Sequence, residues 1–256
     1  MGLFRRKELR LRSDPRGVFE GEFAHALACG AHMPVTGGGV WNAFAGSCSC
    51  CSPEDERDKL RESWGITDTQ GWDRALRELV VGGRIPSDVS VVLDLRVQAC
   101  ARTPGLPFDA GTWPDLIGHW CRSSGADAAK YEALVLTAAR VWEYEERMVQ
   151  DGALPPGAKV RTVLAYDLGR AVNLARWGFN AGYAEMMAAG EHIIRAGATA
   201  MLNHGSWGEL SAGFVLGRAL AFDEGAFGPY YTDSVAAHRV LTTDPMSPWL
   251  NIPWRM

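Results

Sequence analysis

Apolar residues recur at three- and four-residue spacing along most of the chain, the pattern of helices that bury one face. Phe23, Leu27 and Gly30 lie on a first helical stretch predicted from about residue 17 to 33. Ser52-Pro53-Glu54-Asp55 opens a second helix, with a capping serine, proline in the first turn and acids beside the positive helix end. Asp68 caps a third, on which Trp72, Leu76, Leu79 and Val80 share a face. Residues 88–101 fit both a helix and an alternating strand; Ser87-Asp88 after Pro86 decides for helix. Thr112 starts a short helix carrying Leu116, Ile117 and Trp120.

The longest periodic run extends from Asp127 to Gln150, and Gly152 with Pro155-Pro156 ends it. Further helices are predicted at about 160–177, 184–202, 206–222 and 233–241. The third of these opens on Ser206-Trp207-Gly208-Glu209, which reads as a capping box. Nothing alternates with strands as a nucleotide-binding α/β fold requires. The expected fold is all-α, a multi-helix globular domain. A tail from Asp244 carries Pro248-Trp249 and Pro253-Trp254; it is expected to be extended, with both tryptophans docked on the helical body.

Charge divides the chain at the Pro155 break. Residues 1–150 hold 39 of the 56 charged side chains, and the remaining 106 residues hold 17. The expected division is a helical region over 1–125 and a second helical domain over 126–256. Net charge is −4, which removes the electrostatic footprint of a general nucleic-acid binder. No apolar run reaches the roughly 18 residues of a membrane span, and the basic start up to Arg12 lacks the apolar stretch of a secretory signal. The expected compartment is the cytoplasm, with neither membrane nor nucleic acid as partner. Arginine accounts for 22 of the 26 basic residues, a bias read as codon pressure.

Against that background two arginines stand apart. Leu168-Gly169-Arg170-Ala171 and Leu216-Gly217-Arg218-Ala219 repeat one tetrapeptide inside predicted helices, where glycine costs about 1 kcal/mol relative to alanine. Such glycines are expected at close helix crossings, which puts Arg170 and Arg218 beside packed surfaces. Asp167 lies three residues before Arg170 on the same side of the helix, close enough to pair with it. Two readings remain open. One is a buried Asp–Arg network that fixes helix register. The other is an arginine-lined pocket for a carboxylate or phosphate, with Asp167 as acid–base candidate.

The cysteines and histidines give a weaker pattern. His25, Cys29 and His32 share a helical face if that helix runs on through Gly30, and Cys48, Cys50 and Cys51 follow in a Gly/Ser loop. Together they could form a two-His, two-Cys zinc site, but the spacing matches no standard finger and free thiols are the preferred reading. Thr36-Gly37-Gly38-Gly39 lacks the Gly-Lys-Ser/Thr of a phosphate loop, and Glu191-His192 lacks the second histidine of a metalloprotease helix. No cofactor is expected.

Several of these residues recur in a known family. Asp167 with Arg170, Arg176-Trp177-Gly178 with Gly182, Ser206-Trp207, Gly217-Arg218 and Pro248-Trp249 resemble the pattern of DUF1266, a bacterial family without an established activity. Tyr166 stands where that family more often has tryptophan. The resemblance is good over about residues 130–256 and poor over the first hundred. It implies kinship rather than mechanism. The expected function is binding of a partner protein or a small anionic ligand near the two Leu-Gly-Arg-Ala helices, with Arg170, Arg176, Trp177, Trp207, Arg218, Trp249 and Trp254 as candidate contacts. The alternative is an enzyme that holds an anionic substrate on Arg170 and Arg218.

Overall fold

The computed structural model describes residues 8–44, 52–223, 225 and 227–255. Among them there is no strand, so the all-α expectation holds. In chain order the helices are α1 (Gly21–Cys29), α2 (His32–Gly37), α3 (Pro53–Trp64), α4 (Thr69–Val80), α5 (Ser87–Arg102), α6 (Trp113–Ser124), α7 (Ala128–Gln150), α8 (Leu164–Asn180), α9 (Met186–Asn203), α10 (Trp207–Phe222), α11 (Pro229–Thr243) and α12 (Pro248–Asn251). A 3-10 turn at Ala110–Thr112 leads into α6. No helix among the described residues is long and apolar enough to cross a membrane.

The chain folds into two compact units that interleave in sequence. The first takes residues 1–81, 168–202 and 236–256; the second takes 82–167 and 203–235. Residues 1–125 are therefore shared between both units.

In the second unit α7 packs against α5, α6 and α10. Val92, Leu93, Ile117, Leu134, Val141, Met148, Val215, Leu216 and Tyr231 belong to one buried cluster there. The heptad-like spacing of Leu134, Val141 and Met148 puts all three on one face of α7, which is why a helix with many charges still has a dry side. In the first unit α12 packs on α1, and Leu27, Trp41, Leu60, Trp72, Leu76, Val172, Leu174 and Ile193 are buried.

Besides α11, which starts at Pro229 rather than 233, three differences from expectation each have a local reason. The first predicted helix is broken: α1 ends at Cys29 and α2 starts at His32. A continuous helix would need the N–H of residue 34 to reach the Gly30 carbonyl, and residue 34 is a proline with no N–H. Asn173 Nδ2 donates to that carbonyl instead, at 3.0 Å. The second difference lies before α8, which begins at Leu164 rather than 160: the Val160 carbonyl, which a helix from 160 would offer to residue 164, accepts from Arg96 Nη2 at 2.6 Å, and the Leu164 N–H donates to Thr162 Oγ1 at 3.1 Å.

Third, the tail is not wholly extended. Ser247 Oγ accepts the Trp249 N–H at 3.2 Å, and Pro248 at the first helical position lets α12 form. Ser206 caps α10 as expected, accepting the Glu209 N–H at 3.1 Å. The return bond of the box is displaced by one residue: the Glu209 carboxylate takes the Gly205 N–H at 2.9 Å. The full reciprocal box forms at Ser52 and Asp55 instead.

Candidate functional site

In the second unit, two glycines one helical turn apart let α10 approach the segment that opens α8. A Cβ on Gly213 would stand 2.7 Å from the Thr162 carbonyl oxygen. One on Gly217 would stand 2.9 Å from Tyr166 Cβ and 3.1 Å from the Val163 carbonyl oxygen. The close crossing read from Gly217 is therefore present, and Gly213 completes it. Asp167, on the α8 side, is fully buried and accepts the Arg84 N–H at 3.3 Å.

Arg218 follows Gly217 but sits at the edge of this crossing. Its guanidinium carbon lies 5.4 Å from the centre of the Tyr230 ring, and Nη1 donates to Ser234 Oγ at 3.4 Å. Tyr230 pairs with Phe222, ring centres 4.9 Å apart, and Phe222 in turn meets Tyr166 edge-on. Phe222 and Tyr230 are 47% and 41% exposed. Trp207, at the start of α10, is buried.

In the first unit, Arg170 is placed in the same way by the other copy of the tetrapeptide. Its guanidinium carbon lies 5.8 Å from the centre of the Trp64 ring, and Trp64 meets Trp177 edge-on at 6.5 Å. Each Leu-Gly-Arg-Ala arginine thus covers one aromatic ring, and each ring is paired with a second. Asp167 and Arg218 belong to one unit, Arg170 and Arg176 to the other.

A model of the family described as "Protein of unknown function (DUF1266)" matches residues 59–254. The chain belongs to the DUF1266 family. The match begins within α3, well upstream of residue 130, and ends on Trp254. No curated protein and no solved structure matches the chain.

The Pro-Trp signature of this DUF1266 chain has a clear physical job. Trp249 is buried, donates its indole N–H to the Ala28 carbonyl at 3.0 Å and meets the His32 ring edge-on at 5.3 Å. Trp254 lies against His25, whose Nε2 is 2.9 Å from the Trp254 carbonyl oxygen. Both tryptophans are docked on α1 and its break, as expected. Gly178 has a comparable purpose, since a Cβ there would fall 1.9 Å from Trp72 Nε1, which donates to the Leu174 carbonyl at 2.9 Å.

His25, Cys29 and His32 do not share one helical face, because the helix ends between them. Burial pushes the Cys29 thiol far up, away from the thiolate a metal needs. No group of three His, Cys, Asp or Glu is placed to hold a metal among the described residues. Cys48, Cys50 and Cys51 lie outside the described residues.

Two charged constellations in this DUF1266 chain were not anticipated. Glu145 of α7 accepts from Arg96 of α5 through both carboxylate oxygens, at 2.7 and 2.8 Å, and from the Val160 N–H. Lys159 Nζ lies 3.4 Å from the same carboxylate and 3.6 Å from the Trp142 ring centre. Trp142 is half-buried and serves as the wall beside this lysine. The second constellation joins α4 and α9: His192 Nε2 stands 3.2 Å from the Asp73 carboxylate, and the ring meets Trp72 edge-on at 5.1 Å. Partners 49 and 119 positions apart leave no local spacing signal, so only the fold reveals them.

Proposed function

We propose that this protein is a binding domain whose partner polypeptide docks on the α10–α11 surface carrying Arg218, Phe222 and Tyr230. The observation that carries this reading is the exposed Phe222–Tyr230 pair with the Arg218 guanidinium laid over it. Aromatic side chains and arginine are the residue types enriched in interface hot spots, because they bring large contact area and directed hydrogen bonds together. Among the described residues no carboxylate is paired with Arg218. A guanidinium stacked on a ring keeps its N–H edge available, so the matching partner segment presents a carboxylate beside apolar side chains.

Asp167 favours binding over catalysis. An acid–base residue has to reach a substrate proton, whereas this carboxylate is fully buried and holds a backbone N–H. Its role is to anchor the start of α8.

A photo-crosslinking residue at Phe222, compared with one at Leu106 (67% exposed, same unit), tests the proposal in the cells that make the protein. The expected result is an adduct of discrete mass from position 222 only, abolished by Arg218→Ala with the helical spectrum unchanged. Identical adducts from both positions, or none from 222, would overturn it.

A further inference from the structure

Arg176 of α8 is 2% exposed, in the first unit. Nη2 donates to the Val40 carbonyl at 2.8 Å and Nη1 to Asn173 Oδ1 at 3.3 Å. The orientation of Asn173 is fixed, because its Nδ2 is already committed to the Gly30 and Gly169 carbonyls. Arg176 Nε is buried without a hydrogen-bond partner among the described residues. Both acceptors are therefore neutral, and one N–H of the guanidinium is left over.

No carboxylate neutralises this cation among the described residues, and the parts of the first unit outside them contain no Asp or Glu. Burial pushes the guanidinium down to about 10, which still leaves it charged at neutral pH. An interior cation without a counter-charge costs several kcal/mol, more than neutral acceptors return. The segment that holds Arg176 carries a second such donor: the Trp41 indole N–H, next in sequence to Val40, is buried and also lacks an acceptor. The unfilled Nε–H and the net positive charge of Arg176 ask for an anion rather than for water alone, because water supplies an acceptor but no charge.

We propose that Arg176 anchors an interior site for a small monovalent anion, with Nε as the donor reserved for it. The single uncompensated charge sets the valence, and the burial of Nε favours a small ion such as a halide. The site is independent of the α10–α11 surface, and its failure would leave that proposal standing.

The test uses the full chain. Chloride is titrated against gluconate at constant ionic strength while the thermal midpoint is followed. The expected result is a saturable rise of about 2–4 °C with chloride, absent in Arg176→Met and retained in the exposed control Arg74→Met. The same chloride response in Arg176→Met as in the unaltered protein overturns the proposal, as does no response in the unaltered protein. Should Arg176→Met fail to fold, crystals of the unaltered protein soaked in bromide decide the matter. An anomalous peak beside Arg176 Nε supports the site, and its absence there overturns it.

Discussion

Arg96 and Glu145 face each other as two forks, Nη1 and Nη2 on the two carboxylate oxygens, with neither side chain more than 2% exposed. Arg96 Nη2 also donates to the Val160 carbonyl at 2.6 Å, so the pair ties α5, α7 and the segment before α8 together. Removing one partner strands the other charge in the interior. Glu145→Ala is expected to lower stability by about 3–5 kcal/mol in urea unfolding. Replacing both residues by methionine is expected to recover part of that loss, because the desolvation of two ions disappears with their attraction while the Val160 N–H and carbonyl lose these partners. A double variant as unstable as Glu145→Ala would show that the pair contributes more than compensation.

The close crossing of α10 makes a prediction in which two effects oppose. Alanine is a better helix former than glycine by about 1 kcal/mol, yet a Cβ at Gly213 would press on the Thr162 carbonyl and one at Gly217 on the Val163 carbonyl. Backbone cannot swing aside as a side chain can, and overpacking costs about 1–3 kcal/mol. Gly213→Ala and Gly217→Ala are expected to lower the thermal midpoint. Gly208→Ala, whose nearest neighbour is Ser206 Oγ at 3.7 Å, is expected to leave it unchanged or raised.

Trp249 offers a test of the docked tail. Trp249→Ala is expected to cost about 3–5 kcal/mol, the range for emptying a buried indole site. Trp249→Phe is expected to cost far less. The Ala28 carbonyl that loses the indole N–H still accepts the Ala31 N–H at 3.2 Å and is not orphaned. Denaturant midpoints of the two variants measure the difference.

Acid is expected to weaken the fold. Burial holds His25 and His192 below the usual histidine range; the Trp254 carbonyl opposes this at His25, and Asp73 opposes it at His192. Arg195 and Arg77 reinforce the shift at His192. Since the unfolded chain then binds protons at higher pH than the folded one, stability rises with pH until the unfolded histidine value of about 6.5 is passed. On the acid side of that value this contribution falls away. The slope of unfolding free energy against pH between about 5 and 7 is expected to flatten in His25→Gln/His192→Gln. An unchanged slope would assign the acid response to other groups.

Local signals carried most of the fold. Periodicity placed the helices from α3 to α11, and Ser52, Asp68 and Ser206 cap the helices that they were read to cap. The break at Gly30 was also written locally, in the missing N–H of Pro34, but the acceptor's new partner, Asn173, lies 143 positions away. The repeated Leu-Gly-Arg-Ala drew attention to Arg170 and Arg218 without indicating that each would cover an aromatic ring. Tyr230 and Trp64 come from elements that no helical period connects to them. Glu145, Lys159, Asp73 and His192 were illegible for the same reason, since charge pairs between distant helices leave no spacing behind.

The interleaving of the two units bears on how the chain comes into being. On a ribosome the first 81 residues emerge early, yet the other portions of their unit, 168–202 and 236–256, follow much later. The second unit has its full complement once residue 235 has been made, whereas the first must wait for the Pro-Trp tail. At about 5–20 residues per second, α4 waits roughly 5–20 seconds for α9, whose His192 meets Trp72, and α1 waits roughly 11–44 seconds for Trp249. The topology thus leaves early helices waiting for late partners, and a stop codon before Trp249 would release a chain whose α1 never received its indole cover.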